Sequence, residues 1–184
     1  MSKRFFLGFK IPRSIIETIN MVRTTLGDDH QYFKWVSGNN LHLTLLFLGH
    51  QETDQIPNLL KIINTSLENY NDFSFSINGT GTISDDRILW LGVEKGKDEL
   101  VSINYELRMQ LKEYIDNIDN NKFNPHITVG RKKKDYIHNK IDVKNFMNSV
   151  YFPIEFHVKF FTLFESKIIN NKVHYERIKE FNIT

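Results

Sequence analysis

Two stretches decide the reading of this chain: Asn40-Leu41-His42-Leu43-Thr44-Leu45 and Asn124-Pro125-His126-Ile127-Thr128-Val129. In a β-strand the side chains of residues i and i+2 point to the same face. His42 and Thr44 therefore share one face of a strand, and Leu41, Leu43 and Leu45 the other. His126 and Thr128 share a face opposite Ile127 and Val129. His126 minus His42 is 84, and the same offset of 84 aligns Phe6-Leu7-Gly8-Phe9 with Trp90-Leu91-Gly92-Val93. Two separate segments related without gaps by one offset indicate a duplicated half, with matching strands bringing the two His-x-Thr motifs face to face across a groove. A single His-x-Thr would carry little weight, since a lone strand histidine is more often a hydrogen-bonded structural residue.

The rest of the chain alternates strands with amphipathic helices. Phe5 to Ile11 is an aromatic-rich strand that Pro12 breaks. Apolar residues at helical spacing predict helices over 13–26, 54–69 and 98–118, with a short one near 141–148. Strands are expected at Leu41–Leu48, from Phe73, at 87–94, at Pro125–Gly130, as one run over 154–165, and at 172–181. Gly79 to Asp86 is the expected connection between lobes, and Arg131 to Lys140 the expected mobile loop. The reading is one domain, residues 1–184, made of two intertwined lobes.

Composition narrows the function classes. The 184 residues include no cysteine, which removes disulfides, thiolate-bound zinc and thiol catalysis. The formal charge of +2 is low for a protein that coats long nucleic acid, but a small anionic ligand or the end of an RNA strand needs only a local basic patch. No run approaches the roughly 20 apolar residues of a membrane helix. The expectation is a cytoplasmic monomer with no membrane or protein partner. No histidine–carboxylate cluster has metal-ligand spacing, so neither a metal nor another cofactor is expected.

Paired histidines on facing strands suit phosphodiester chemistry. With an unperturbed pKa of about 6.5, one imidazole can be neutral while the other is charged near pH 7. The neutral one takes a proton from the attacking hydroxyl or water; the charged one gives a proton to the leaving oxygen. His126 is assigned as base and His42 as acid, although the internal symmetry makes the roles nearly interchangeable. The Thr44 and Thr128 hydroxyls are candidate donors to the non-bridging phosphate oxygens. Arg131 opens the basic run Arg131-Lys132-Lys133-Lys134 and is a candidate phosphate contact, but strict alternation points it away from His126 unless the strand ends or bulges at Gly130. Phe5, Trp35 and Trp90 are candidate base-stacking rings, with core packing the default for each.

The segments Leu41-His42-Leu43-Thr44-Leu45-Leu46-Phe47-Leu48-Gly49 and Phe123-Asn124-Pro125-His126-Ile127-Thr128-Val129-Gly130-Arg131 closely resemble the paired motifs of the two-histidine phosphoesterases. The branch they are most similar to is that of the RNA 2′,3′-cyclic phosphodiesterases, also called 2′-5′ RNA ligases. Arg4-Phe5-Phe6, Ile88-Leu89-Trp90-Leu91-Gly92 and Phe160-Phe161-Thr162-Leu163-Phe164-Glu165-Ser166 extend the likeness over nearly the whole chain. The resemblance implies an α+β, bilobal fold: two antiparallel sheets with outer helices, related by a pseudo-twofold about a central groove. It implies hydrolysis of 2′,3′-cyclic phosphate ends to 2′-phosphates, and in some members 2′-5′ joining of RNA ends. By motif position it carries over His42, Thr44, His126 and Thr128 as the catalytic set, Arg131 as a substrate contact, and Phe5 as the stacking aromatic. The competing readings are a 2′-5′ oligoadenylate phosphodiesterase and a non-catalytic RNA-end-binding module.

Overall fold

The computed structural model describes residues 2–115, 118 and 122–184. Among the described residues the frame is nine strands: β1 (Ser2–Lys10), β2 (Phe33–Trp35), β3 (His42–Glu52), β4 (Phe73–Ile83), β5 (Ile88–Val93), β6 (His126–Lys132), β7 (Ile154–Val158), β8 (Phe160–Ile169) and β9 (Lys172–Asn182). They form two antiparallel sheets, one ordered β3-β1-β8-β9 and the other β2-β6-β5-β4-β7. The helices are α1 (Ile15–Thr24), α2 (Ile56–Leu67), α3 (Lys97–Leu111) and the single turn α4 (Lys144–Met147). The fold is α+β, with the two His-x-Thr strands in different sheets.

Burial follows the sequence pattern. Leu41, Leu43 and Leu45 are buried beneath β3, and Ile127 and Val129 beneath β6. The same core takes Ile15, Ile19 and Val22 of α1, Leu59 and Ile63 of α2, and Leu100, Ile103 and Leu107 of α3. Phe9, on the core side of β1, meets Phe75 of β4 edge-on at 5.2 Å between ring centres, so one apolar cluster runs under both sheets. One polar group enters this interior with its partner: the buried Asn104 of α3 donates from Nδ2 to the Leu45 carbonyl at 2.8 Å, tying the helix to the strand of the first motif.

Three expectations need correction. Gly79–Asp86 does not link the lobes. It continues β4 and turns through Ser84, Asp85 and Asp86, all at positive φ, into β5 of the same sheet. The run 154–165 is two strands: Ile154–Val158 pairs with β4, the chain changes sheet at Lys159, and Phe160–Ile169 pairs with β1 and β9. Period-2 alternation is blind to which sheet a strand joins. Arg131–Lys140 is not a free loop. Arg131 and Lys132 belong to β6, the Lys133 amide donates to the Tyr32 carbonyl, Lys132 Nζ donates to the Asn139 carbonyl at 2.6 Å, and Tyr136 packs on Tyr32. Helix α3 ends at Leu111; the last part of the expected 98–118 helix lies partly outside the described residues.

Gly8 sets how closely β1 and β3 approach. It pairs with Thr44, and a Cβ at residue 8 would sit 2.1 Å from the Leu43 carbonyl oxygen. Backbone on both sides leaves no flexible group to yield. Gly8→Ala is therefore expected to cost roughly 1–3 kcal/mol, read as a lowered urea midpoint at unchanged m-value; an unchanged midpoint would refute the close-approach account.

Candidate active site

Each motif histidine is held in the same way. His42 Nδ1 lies 2.6 Å from the carbonyl oxygen of Asn40, and His126 Nδ1 lies 2.9 Å from that of Asn124. A carbonyl oxygen only accepts, so each Nδ1 carries the proton and donates. That fixes the tautomer and leaves each Nε2 as the exchanging atom. The partner is the residue two before the histidine in both copies, where the chain enters the strand. Asn40 is itself tethered, its Nδ2 donating to the Val173 carbonyl of β9 at 2.9 Å.

Both strands bulge directly after the threonine. In β3, Thr44 pairs with Gly8 but Leu46 with Leu7, so Leu45 is the extra residue. In β6, Thr128 pairs with Trp90 but Gly130 with Leu89, so Val129 is extra. Leu45 and Val129 are themselves related by the repeat offset. A bulge resets the alternation. Phe47 and Arg131 thereby return to the faces of Thr44 and Thr128 respectively. Phe47 comes within 6.3 Å of Phe6, and Arg131 lies close enough to His42 and Tyr175 to act on the protonation of both.

The surroundings of the two imidazoles differ. His42 is flanked by Phe6 at 4.9 Å and by the edge-on Tyr175 at 4.8 Å, whereas His126 has Trp90 at 6.2 Å. The Asn40 bond is partly buried and the Asn124 bond exposed. Burial, then the nearby charges of Lys10, Arg131 and His126, push His42 down from 6.5 to about 4, against the Asn40 carbonyl, which favours the charged ring. With a pKa of about 4, His42 is neutral at pH 7.

Phe5 is not at the site. It is 3% exposed and belongs to the core cluster, because even-numbered residues of β1 face the groove and odd-numbered ones the core. The ring that borders His42 from this strand is Phe6, which the repeat had aligned with Trp90. Phe6 is itself buried, stacked on Phe164 at 5.1 Å and covered edge-on by Tyr175 at 4.9 Å. Trp35 lies elsewhere, donating to the His30 carbonyl at 3.0 Å and lying beneath Arg23. Lys10 and Tyr175 were missed. Lys10 pairs across the strands with His42, a position readable once β1 and β3 are set in register. Tyr175 arrives through the curl of the β8–β9 hairpin, for which the sequence has no local signal.

Among the described residues no three His, Asp or Glu side chains converge as metal ligands, and no helix is long and apolar enough to cross a membrane. Two sheets that present tautomer-fixed histidines from matching bulged strands define the class of the two-histidine phosphoesterases. Residues 11–167 match the model of the 2′-5′ RNA ligase superfamily, and the chain belongs to that family. It is 37% identical over 102 residues to the RNA 2′,3′-cyclic phosphodiesterase of Thermotoga maritima, a match spanning 54% of each chain. It is 31% identical over 134 residues to the protein of the same name from Aquifex aeolicus, spanning 71% of each. In fold it is similar to E. coli LigT complexed with 3′-AMP, with a TM-score of 0.78 at 24% identity over 100% of this chain and 99% of that one.

The depressed His42 has a direct readout. In the free protein its imidazole resonances should titrate with a midpoint of about 4. Filling the groove with inorganic phosphate or a 2′-nucleotide should move that midpoint up, because a neighbouring anion favours the imidazolium. A midpoint near 6.5 in the free protein, insensitive to phosphate, would contradict the assigned burial and charge environment.

Proposed function

We propose that the protein hydrolyses RNA 2′,3′-cyclic phosphate ends to 2′-phosphates by metal-independent acid–base catalysis between His42 and His126. The observation that supports this reading is the matched pair of Nδ1–carbonyl hydrogen bonds, which leaves both Nε2 atoms available for proton exchange. The names of the relatives support the same substrate class.

In this mechanism the more open His126 takes a proton from water as its oxygen attacks phosphorus. The bond from phosphorus to O3′ breaks, and His42 delivers a proton to the departing O3′. The 2′-phosphomonoester remains. A depressed pKa makes His42 a strong proton donor once charged, and the anionic phosphate is what charges it. Arg131 balances the phosphate oxygens, and the hydroxyls of Thr44 and Thr128 donate to them. The same steps with a 5′-hydroxyl in place of water form a 2′-5′ phosphodiester, the ligase direction. The proposed setting is a single catalytic unit, 1–184, acting as a cytoplasmic monomer.

His42→Ala and His126→Ala should each lose about 10²-fold or more in rate, and the double variant far less than the product of the two losses, because the pair acts as a unit. Thr44→Ala and Thr128→Ala should lose less. A cyclic or aryl phosphodiester with a very good leaving group needs no acid, so it should rescue His42→Ala and not His126→Ala; rescue of His126→Ala instead reverses the assignment. Full activity in excess EDTA is expected, and activity restored only by added Mg²⁺, Mn²⁺ or Zn²⁺ would end the metal-independent mechanism. Assay of a 2′-5′ oligoadenylate beside a 2′,3′-cyclic nucleotide separates the two enzymatic readings, and turnover of either excludes a pure binding module.

A further inference from the structure

The face of the first sheet that carries His42 also carries a pair of cations, Lys10 and Arg177. Lys10 is the direct cross-strand partner of His42. Its ammonium lies over the floor of the groove, 5.3 Å from the centre of the Phe164 ring and 5.5 Å from that of Tyr175. Arg177 of β9 stands opposite Phe164 in the β8–β9 register, on the same face. Lys10 and Arg177 are near enough that Arg177, after burial, holds the Lys10 ammonium below its ordinary value.

Two like charges have been brought together here with little to neutralise them. Lys10 donates to the Asn39 carbonyl and rests on two ring faces, contacts that leave its charge intact. Among the described residues, none of the ion pairs includes Lys10. The carboxylate partner of Arg177 is Glu180 at 3.4 Å, with side chains 70% and 43% exposed, a pair too solvated to cancel the charge. Arg131, the other fixed cation acting on His42, comes from the second sheet. Lys10 and Arg177 lie on the first sheet. Directly opposed strand residues have Cβ atoms about 4.5–5.5 Å apart, so the Lys10 side chain rises immediately beside His42.

We propose that Lys10 and Arg177 form a second anion subsite, which holds the phosphate on O5′ of the terminal nucleoside while its 2′,3′-cyclic phosphate lies between His42 and His126. The subsite rests on the proposed cyclic phosphodiesterase reading and adds a substrate preference to it. Its ligand is either the last internal phosphodiester of an RNA strand or the 5′-phosphate of a mononucleotide. A nucleoside 2′,3′-cyclic phosphate with a free 5′-hydroxyl fills only the catalytic half.

The test compares three substrates in the wild type, in Arg177→Gln and in Lys10→Gln: a 2′,3′-cyclic mononucleotide with a 5′-hydroxyl, the same compound with a 5′-phosphate, and a dinucleotide ending in the cyclic phosphate. The readout is the ratio of KM values within each protein, so a general loss of activity cancels. In the wild type the two compounds carrying a phosphate on O5′ should have a KM about tenfold lower than the 5′-hydroxyl compound. The advantage should shrink with added salt and fall toward unity in each variant. Arg177→Gln alters an exposed side chain, which keeps the test independent of any folding defect in Lys10→Gln. An advantage for the 5′-phosphate compound alone keeps the subsite and assigns it to a terminal phosphate. An advantage for the dinucleotide alone reports base contacts and overturns the proposal, as does an advantage that survives both substitutions. Hydrolysis of all three with equal KM removes the subsite and leaves the catalytic reading standing; no hydrolysis of any of them removes both.

Discussion

The site depends on one repeated hydrogen bond, from a histidine Nδ1–H to the carbonyl of the residue two before it. Without it the imidazole is free to turn about its χ angles and exchange tautomers, and neither Nε2 has a fixed direction. The bond forms because an asparagine and one intervening residue bring the chain into the strand with the carbonyl turned back under the ring: Asn40 before His42 and Asn124 before His126. A main-chain acceptor is an economical choice. It is neutral and fixed by the backbone, and it adds no carboxylate to the groove.

The two halves share this device but not their electrostatics. Matching bulges at Leu45 and Val129 return the next groove-facing residue to the His-x-Thr face, and there the halves diverge. One supplies Phe47, the other Arg131. One histidine is packed among Phe6 and Tyr175 beside Lys10; the other borders Trp90 and opens to solvent. Two chemically identical side chains thus stand in different surroundings, and at His42 those surroundings depress the proton affinity. Burial is the larger cause at His42 and the cations add to it, so an anionic substrate reverses part of the depression when it arrives.

The two His-x-Thr strands were legible in the sequence because their signal is local and periodic. His42 with Thr44, and His126 with Thr128, fall on one face by strand alternation, and the shared offset says that the strands correspond. What escaped was whatever required knowing where alternation is interrupted or which sheet a strand enters. Arg131 was assignable only on condition of a bulge, and no residue type marks Val129 as the bulged position. Phe5 was chosen by likeness of motif, while the internal repeat pointed to Phe6 by aligning it with Trp90. The register confirms that even-numbered residues of β1 face the groove. The change of sheet at Lys159 leaves an unbroken strand-like pattern, so one run was read where two strands stand. Tyr175 reaches His42 only because the β8–β9 hairpin curls back over the groove, a long-range consequence of sheet twist.

The central claim is that the paired histidines open a 2′,3′-cyclic phosphate in one direction, with water entering and O3′ leaving. Phosphorus NMR of the products formed from a 2′,3′-cyclic nucleotide, in buffer containing excess EDTA, tests it most directly. The account predicts complete conversion to the nucleoside 2′-phosphate, lost in His42→Ala and His126→Ala. Accumulation of the 3′-phosphate, a mixture of the two isomers, or an unchanged cyclic substrate would contradict it.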